Sequence, residues 1–411
     1  MKIAMVSEHA SPLAAGRGPA GKGPGGADGG GQNVFVAELA AGLGGQGHRV
    51  TVYTRRDAAT LPERVRFAPG VTVEHVPAGP AEPIAKDDLL PWMHDFGRYL
   101  ERRWAADPPD VAHAHFWMSG LAAVQAAQAA GAARRIPVVQ TYHSLGAVKR
   151  RHQGDGDTSP ASRVRLERAL GRAADAVVAT CSDEAAELIA MGVPRDRVRV
   201  VPGGVDLDLF SPEGPVHGGR GRHRLVVLSR LVERKGVDTA IGALAYLPDA
   251  ELLVAGGPPR GGLDGDREVR RLRRAAADAG VAGRVEFLGR LRRDEVPPLL
   301  RSASLAVTLP WYEPFGMVPL EAMACGVPVV ATAVGGHLDT VVHGVTGVVV
   351  PPRDPDTAAQ AIRRMLDDPA RRAAMGRAGG GRARGRYSWA RVTADTAEVY
   401  RRAAALSEVA A

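Results

Sequence analysis

Short runs of β-branched and aliphatic residues alternate with alanine-rich stretches along the whole chain. In the first half the apolar runs are KIAMVS, HRVTVYT, DVAHAHF, PVVQTYH, AVVATCS and VRVVPGG. In the second half they are RLVVLSR, AELLVAGG, RVEFLGR, LAVTLP, PVVATA and TGVVVPP. Each is short and bounded by turn residues, the pattern of a strand buried on both faces. Stretches such as VFVAELAAGLGGQG and GVDTAIGALAYL lie between them and read as helices, several ended by glycine. Strand–helix alternation of this kind predicts an α/β protein of parallel, doubly wound sheets with helices on both faces.

The alternation is interrupted once, at FSPEGPVHGGRGRH, residues 210–223, which is polar and rich in proline and glycine. This stretch is expected to be a linker between an N-terminal domain, 1–209, and a C-terminal domain, 224–385. Residues 386–411 read as an amphipathic helix packing back towards the N-terminal domain. Ligands in open α/β sheets bind beyond the carboxyl ends of the strands, so two such domains facing each other would form a cleft.

Composition narrows the function classes. A chain of 411 residues is long for one core and favours two domains. No apolar run approaches the roughly 18 residues that span a bilayer. The opening MKIAMVSEH is strand-like and carries no signal-peptide pattern. With only Cys181 and Cys325, neither a disulfide framework nor a cysteine zinc site is expected, and the expected location is the cytoplasm. The net charge of +8 raises nucleic acid as a partner, but the basic residues are scattered among acids. Aromatic residues are only 5% of the chain, too few for a base-stacking platform. A mild positive field suits an anionic substrate instead.

One stretch concentrates chemistry. EPFGMVPLEAMACG, residues 313–326, follows a strand and enters a helix with glutamates on both sides of a proline- and glycine-bearing loop. Pro319 is expected at the first helical position, which puts Glu321 in the first turn and Glu313 in the loop. The amides of Gly316, Met317 and Val318 would then face outward at a positive helix end, an anion site. Carboxylates accept hydrogen bonds from sugar hydroxyls and a helix end holds a diphosphate, so the combination suits a nucleotide-sugar. The plain alternative has Glu321 capping its own helix and Glu313 solvated. A second cationic site lies in LSRLVERKG, where Arg230 ends a strand and Lys235 precedes Gly236 at a helix start. Two fixed cations there can neutralise a diphosphate without a metal.

SRLVERKG together with EPFGMVPLEAMACGVPVVAT resembles the donor-binding half of the retaining glycosyltransferases of family 4, which have the two-domain GT-B fold. The resemblance covers nearly the whole chain. It implies that Glu313 contacts the transferred sugar, Glu321 holds the ribose, and Arg230 and Lys235 bind the leaving diphosphate. Backbone contacts near Gly289, Arg290 and Leu291 would hold the base, with Phe315, Gly316, Met317 and Val318 completing the donor site. The nucleotide-sugar is a co-substrate; no cofactor and no metal are implied. By family likeness the base is that of UDP, with GDP and ADP as alternatives.

GGADGGGQNVFVAELA, residues 25–40, lacks the Gly-Lys-Ser/Thr of a phosphate-binding loop and lies too far from the first strand for a dinucleotide fingerprint. It resembles the family's glycine loop that approaches the donor phosphates, with Gly30 and Gly31 allowing close contact. GGQNVFVAEL, AGPAEPIAKDDL, DVAHAHFWMSGLA and TYHSLGAVK resemble the family members that glycosylate phosphorylated acceptors, the mycothiol-pathway and sucrose-phosphate enzymes. The acceptor residues this implies are Asn33, Lys86 and Ser144, with Arg163 or Arg165; Lys149, one of the chain's few lysines and expected in a loop at a strand end, is a further acceptor candidate. Phe116 stands where the mycothiol enzyme has a tyrosine, which removes a hydroxyl. His143 falls on the family's active-site histidine, and a backbone-satisfied core histidine is the alternative. His113 and His115 are expected to be structural.

The expected activity is therefore retaining transfer of a hexose or N-acetylhexosamine from a nucleotide-diphospho-sugar to a hydroxyl of a small polar acceptor. A non-hydrolysing nucleotide-sugar epimerase and a catalytically inactive nucleotide-sugar-binding protein are the competing readings. Partners are expected to be small molecules only, and a homodimer is left open.

Overall fold

A computed structural model describes residues 1–15, 31–130, 135–218 and 223–409. The chain divides into two compact units, one made of residues 1–203 and 389–411, the other of 204–388.

The first unit is built on an eight-stranded sheet. Its strands are β1 (Lys2–Val6), β2 (Arg49–Arg55), β3 (Arg64–Ala68), β4 (Val71–Val76), β5 (Val111–His115), β6 (Val138–Thr141), β7 (Ala176–Ala179) and β8 (Val198–Val200). They run in the order β3-β4-β2-β1-β5-β6-β7-β8. All neighbouring pairs are parallel except β3 with β4. The β3–β4 hairpin was not among the strands expected from the sequence, and it makes this sheet mixed rather than purely parallel. Alternate residues of β1 serve opposite cores, Ile3 and Met5 on one face, Ala4 and Val6 on the other. Burial on both faces explains why the strand reads as a continuous apolar run. The last helix, Trp389–Val409, packs in this unit, placing Val392, Tyr400 and Ala403 in the core formed by Ile3, Met5 and Leu39.

The second unit has a six-stranded, wholly parallel sheet. Its strands are β9 (His223–Leu228), β10 (Ala250–Ala255), β11 (Val285–Gly289), β12 (Leu305–Thr308), β13 (Val329–Thr332) and β14 (Gly347–Val350). The order β11-β10-β9-β12-β13-β14 is the doubly wound order in which the winding direction reverses between β9 and β12. Leu225 and Val227 of β9 face one core, Val226 and Leu228 the other.

The stretch 210–223, expected to be a linker, is in its described part held by the second unit. Phe210 is buried in that unit's core, and the Arg301 guanidinium donates to the carbonyls of Ser211 and Pro215. His217 N donates to Pro298 O as well. The division falls earlier, next to Val205, whose amide donates to Tyr387 O within the second unit.

Candidate active site

The residues picked from sequence gather at the carboxyl ends of strands in both units. In the second unit Arg230 and Lys235 lie in the segment after β9, and Glu313 and Gly316 in the segment after β12. These are the two strands at the reversal of winding, where α/β sheets place ligands. Gly236 adopts φ 64°, and a Cβ on it would stand 1.9 Å from Leu309 O, so the two segments touch closely only because the residue is glycine.

The Lys235 ammonium pairs directly with the Glu313 carboxylate. The side chains retain only 16% and 15% exposure, so solvent screens the pair weakly. Burial pushes the Lys235 ammonium below its ordinary value, and the neighbouring Arg234 and Arg230 push the same way against Glu313. Burial works to raise the Glu313 carboxyl, but Lys235 and His337 outweigh it and hold the group below the ordinary glutamate range. Glu321 is raised by burial, with Arg293 opposing.

The helix Met317–Ala324 begins one residue after Gly316, and no side chain caps it. Pro319 is therefore its third residue and not its first, and Glu321 sits in the second turn. The glycine conformation at 316, φ 82°, starts the helix earlier than the proline could. Met317 and Val318 still supply N-terminal amides, and Phe315 is buried in the core below them. Of the backbone expected to hold a base, Gly289 O already accepts from Gly256 N, and Arg290 N donates to Pro258 O.

Three buried polar atoms around these segments have no hydrogen-bond partner: Ser229 Oγ, Arg234 Nη1 and His337 Nε2. Buried polar atoms are rarely left so, and a cluster of them marks a place where a ligand or water completes the bonding. His337 was not found from the sequence. It is fully buried, its Nδ1 donates to Thr332 O at 3.1 Å, and a Cβ on Gly316 would lie 2.9 Å from its Nε2. Burial lowers its pKa to about 4, so the ring is neutral and Nδ1–H is its one donor.

In the first unit Phe116 follows β5 and His143 follows β6, both with positive φ, 81° and 60°. Such backbone strain in non-glycine residues concentrates at functional sites. The Lys86 ammonium lies 5.3 Å from the Phe116 ring centroid and the Arg163 guanidinium 5.0 Å. Arg163 also donates to Ser144 O at 2.7 Å and forms a buried pair with Glu167. Lys149 pairs with Asp157 at 2.9 Å, while Asp87 lies 3.8 Å away. Lys86, Phe116, Ser144, Lys149 and Arg163 thus form one cluster; Arg165 is exposed on the outer face of the helix Arg163–Ala173. Gly31 opens the helix Gly31–Gly45, and Gly30 lies outside the described residues. Asn33 donates to Ser11 O, and its buried Oδ1 has no partner.

His9 also belongs to this end of the sheet and was not singled out from sequence. Its Nδ1 donates to Glu8 at 2.7 Å, and its ring meets Phe116 edge-on at 5.0 Å. His113 has both ring nitrogens engaged, with Tyr400 Oη at 2.6 Å and Thr141 Oγ1 at 2.8 Å, as a structural residue would.

Residues 29–209 match the family described as Glycosyltransferase Family 4, and 219–382 match Glycosyl transferases group 1. The D-inositol 3-phosphate glycosyltransferase of Acidothermus cellulolyticus is 38% identical over 435 residues, spanning 100% of this chain and 92% of that protein. The chain belongs to glycosyltransferase family 4. Another member, D-inositol 3-phosphate glycosyltransferase 1 of Catenulispora acidiphila, is 38% identical and spans 98% of this chain and 96% of its own. A solved sucrose-phosphate synthase from Thermosynechococcus elongatus superposes with a TM-score of 0.85 at 30% identity, covering 98% and 99% of the two chains. As a family 4 glycosyltransferase, the protein is an enzyme built from two Rossmann-like domains of the GT-B kind. No helix among its described residues is long and apolar enough to cross a membrane.

Proposed function

We propose that this glycosyltransferase moves a hexose or N-acetylhexosamine, with retention, from a UDP-sugar to a hydroxyl of a phosphorylated cyclitol or sugar. The observation that carries the acceptor reading is the cluster around Phe116, where Lys86, Lys149 and Arg163 bring three cations to the strand ends. Arg163 and Lys149 also pair with Glu167 and Asp157, and in this reading Lys86, Lys149 and Arg163 hold the phosphate together. The relatives named for inositol 3-phosphate and for sucrose phosphate support the same acceptor class.

On the donor side, Arg230 and Lys235 neutralise the diphosphate, aided by the amides of Met317 and Val318. Glu313 accepts from hydroxyls of the transferred sugar, Glu321 from the ribose, and Leu291 meets the base through its backbone. When donor binds, Lys235 exchanges Glu313 for phosphate oxygens. In the reaction the bond from the anomeric carbon to the diphosphate oxygen breaks while the acceptor oxygen bonds to the same face. The acceptor proton passes to the departing diphosphate oxygen. His143 contacts the donor sugar near the reacting carbon. Fixed cations make a metal unnecessary for this charge, and turnover should persist in chelator. The two thiols, both buried and unbridged, suit a reducing compartment, and we assign the enzyme to the cytoplasm.

The test is product analysis with UDP-N-acetylglucosamine or UDP-glucose and a panel of acceptors, with and without phosphate. The expected result is an α-linked product from a phosphorylated acceptor and much less from its dephosphorylated form. Equal use of both forms would remove the phosphate. Isomerised donor without any acceptor would indicate an epimerase, and donor binding without turnover on any acceptor an inactive binding protein.

A further inference from the structure

Three histidines stand side by side at the carboxyl ends of β5 and β6, and their proton inventory is nearly closed. His113 uses both nitrogens, as described above. His115 is fully buried, with its Nδ1 2.9 Å from His143 Nε2 and the two rings stacked at 26°. The other nitrogen of His115, Nε2, is buried and has no partner. His143 is half-buried, and its remaining nitrogen, Nδ1, is the one not turned towards His115. Phe35 packs edge-on against His143 at 5.1 Å and fixes the ring from the side.

We propose that His115 is a positioning residue that sets the tautomer of His143, so that His143 presents Nδ1–H, a hydrogen-bond donor, to the reacting sugars. One proton lies between His115 Nδ1 and His143 Nε2. Burial lowers His143 to about 3 and His115 well below the ordinary histidine value, so each ring is neutral and carries a single proton. If that shared proton belonged to His143, His115 would carry its own on Nε2, burying an N–H with no acceptor. Orphaned buried N–H groups are the rarer and costlier of the two outcomes. The shared proton therefore sits on His115 Nδ1, His143 Nε2 accepts, and the proton of His143 is on Nδ1. A donor at that place is matched to a sugar oxygen and not to a hydroxyl hydrogen.

The role in turnover rests on the reading of His143 as a sugar contact, but the tautomer does not. Ring-nitrogen NMR of the full chain labelled with ¹⁵N-histidine is expected to show His143 as the Nδ1–H form. In His115→Phe it should become a mixture of forms. His115→Asn, whose side-chain amide can donate from about the place of Nδ1, should restore the Nδ1–H form. In kinetics, His115→Phe should lower kcat about 10- to 100-fold with the donor KM within about 2-fold, and His115→Asn should recover most of the loss. These ranges follow from the worth of one positioned hydrogen bond in a transition state. An Nε2–H form of His143 in the unsubstituted protein would overturn the proposal, whatever the variants do. So would an unchanged tautomer in His115→Phe. If His143→Ala keeps full turnover while the tautomer is as stated, the functional reading of His143 fails and the proton assignment stands.

Discussion

Glu313 and Lys235 neutralise each other in the protein by itself, so each holds the other in place. Removing either should do more than subtract one contact, because the partner is left as a weakly screened charge. Lys235→Ala and Glu313→Ala are each expected to lower kcat/KM at least about 100-fold with the fold retained, measured by initial rates and circular dichroism. The lowered Lys235 value has a directional consequence. In the proposed function the cation neutralises the diphosphate, so activity is expected to fall as pH rises through a value below the ordinary lysine range. The basic limb of the kcat/KM profile of the free enzyme should sit there, and Lys235→Arg should move it upward, since arginine does not titrate. In the first unit, Lys86→Ala is expected to raise the acceptor KM about 10-fold or more with kcat and the donor KM little changed. Arg163 is a poorer probe, because its removal leaves the buried Glu167 unpaired and unfolds the site at a cost of about 3–5 kcal/mol. Arg230, Lys235 and Glu313 stood out in the sequence because they fall in compact motifs after strands, whereas most residues around Phe116 were picked by family resemblance, with Arg163 and Arg165 left as alternatives. His337 and His9 did not stand out, since a lone histidine after Gly-Gly or after a first strand carries no local pattern. Only the fold brings His337 beneath Gly316.

Elements hold these residues through close backbone packing. A Cβ on Gly335 would stand 2.1 Å from Glu313 O, so the turn after β13 is the floor of the Glu313 segment. Gly335→Ala should therefore displace Glu313 and reduce kcat about 10-fold or more, while the second unit keeps its helical spectrum. His337→Leu keeps the volume but loses the bond to Thr332 O, and it relieves one influence that holds Glu313 low. Its acidic activity limb should shift upward. Most strands were legible as apolar runs because they are covered on both faces. The hairpin of β3 and β4 was not, because RVRFA and VTVEHV alternate with charges. Glu74 is nevertheless fully buried, paired with Arg64 and Arg103 and accepting from Tyr99. Cross-strand pairing, invisible in a linear pattern, is what lets it sit there. The helix start at Met317 was misplaced for a similar reason, since the glycine's left-handed conformation overrode the usual place of proline.

At the scale of the whole molecule, the linker expected from composition is in its described part bound to one unit, and the last helix completes the other. Deleting residues 389–411 would take Val392, Tyr400 and Ala403 out of that unit's core, strip Phe35 of its Trp389 contact and leave His113 without Tyr400. The shortened chain is expected to be insoluble or to melt far below the full chain in calorimetry. The second unit, expressed as 204–388, should keep its own cooperative transition. This arrangement also orders events on the ribosome. The portion translated first lacks its closing helix until residues 389–409 are made, whereas the portion translated second has its six strands before then. The half that begins the chain is thus the half that must wait, and a truncated product would carry an exposed apolar seam that quality-control proteases can recognise.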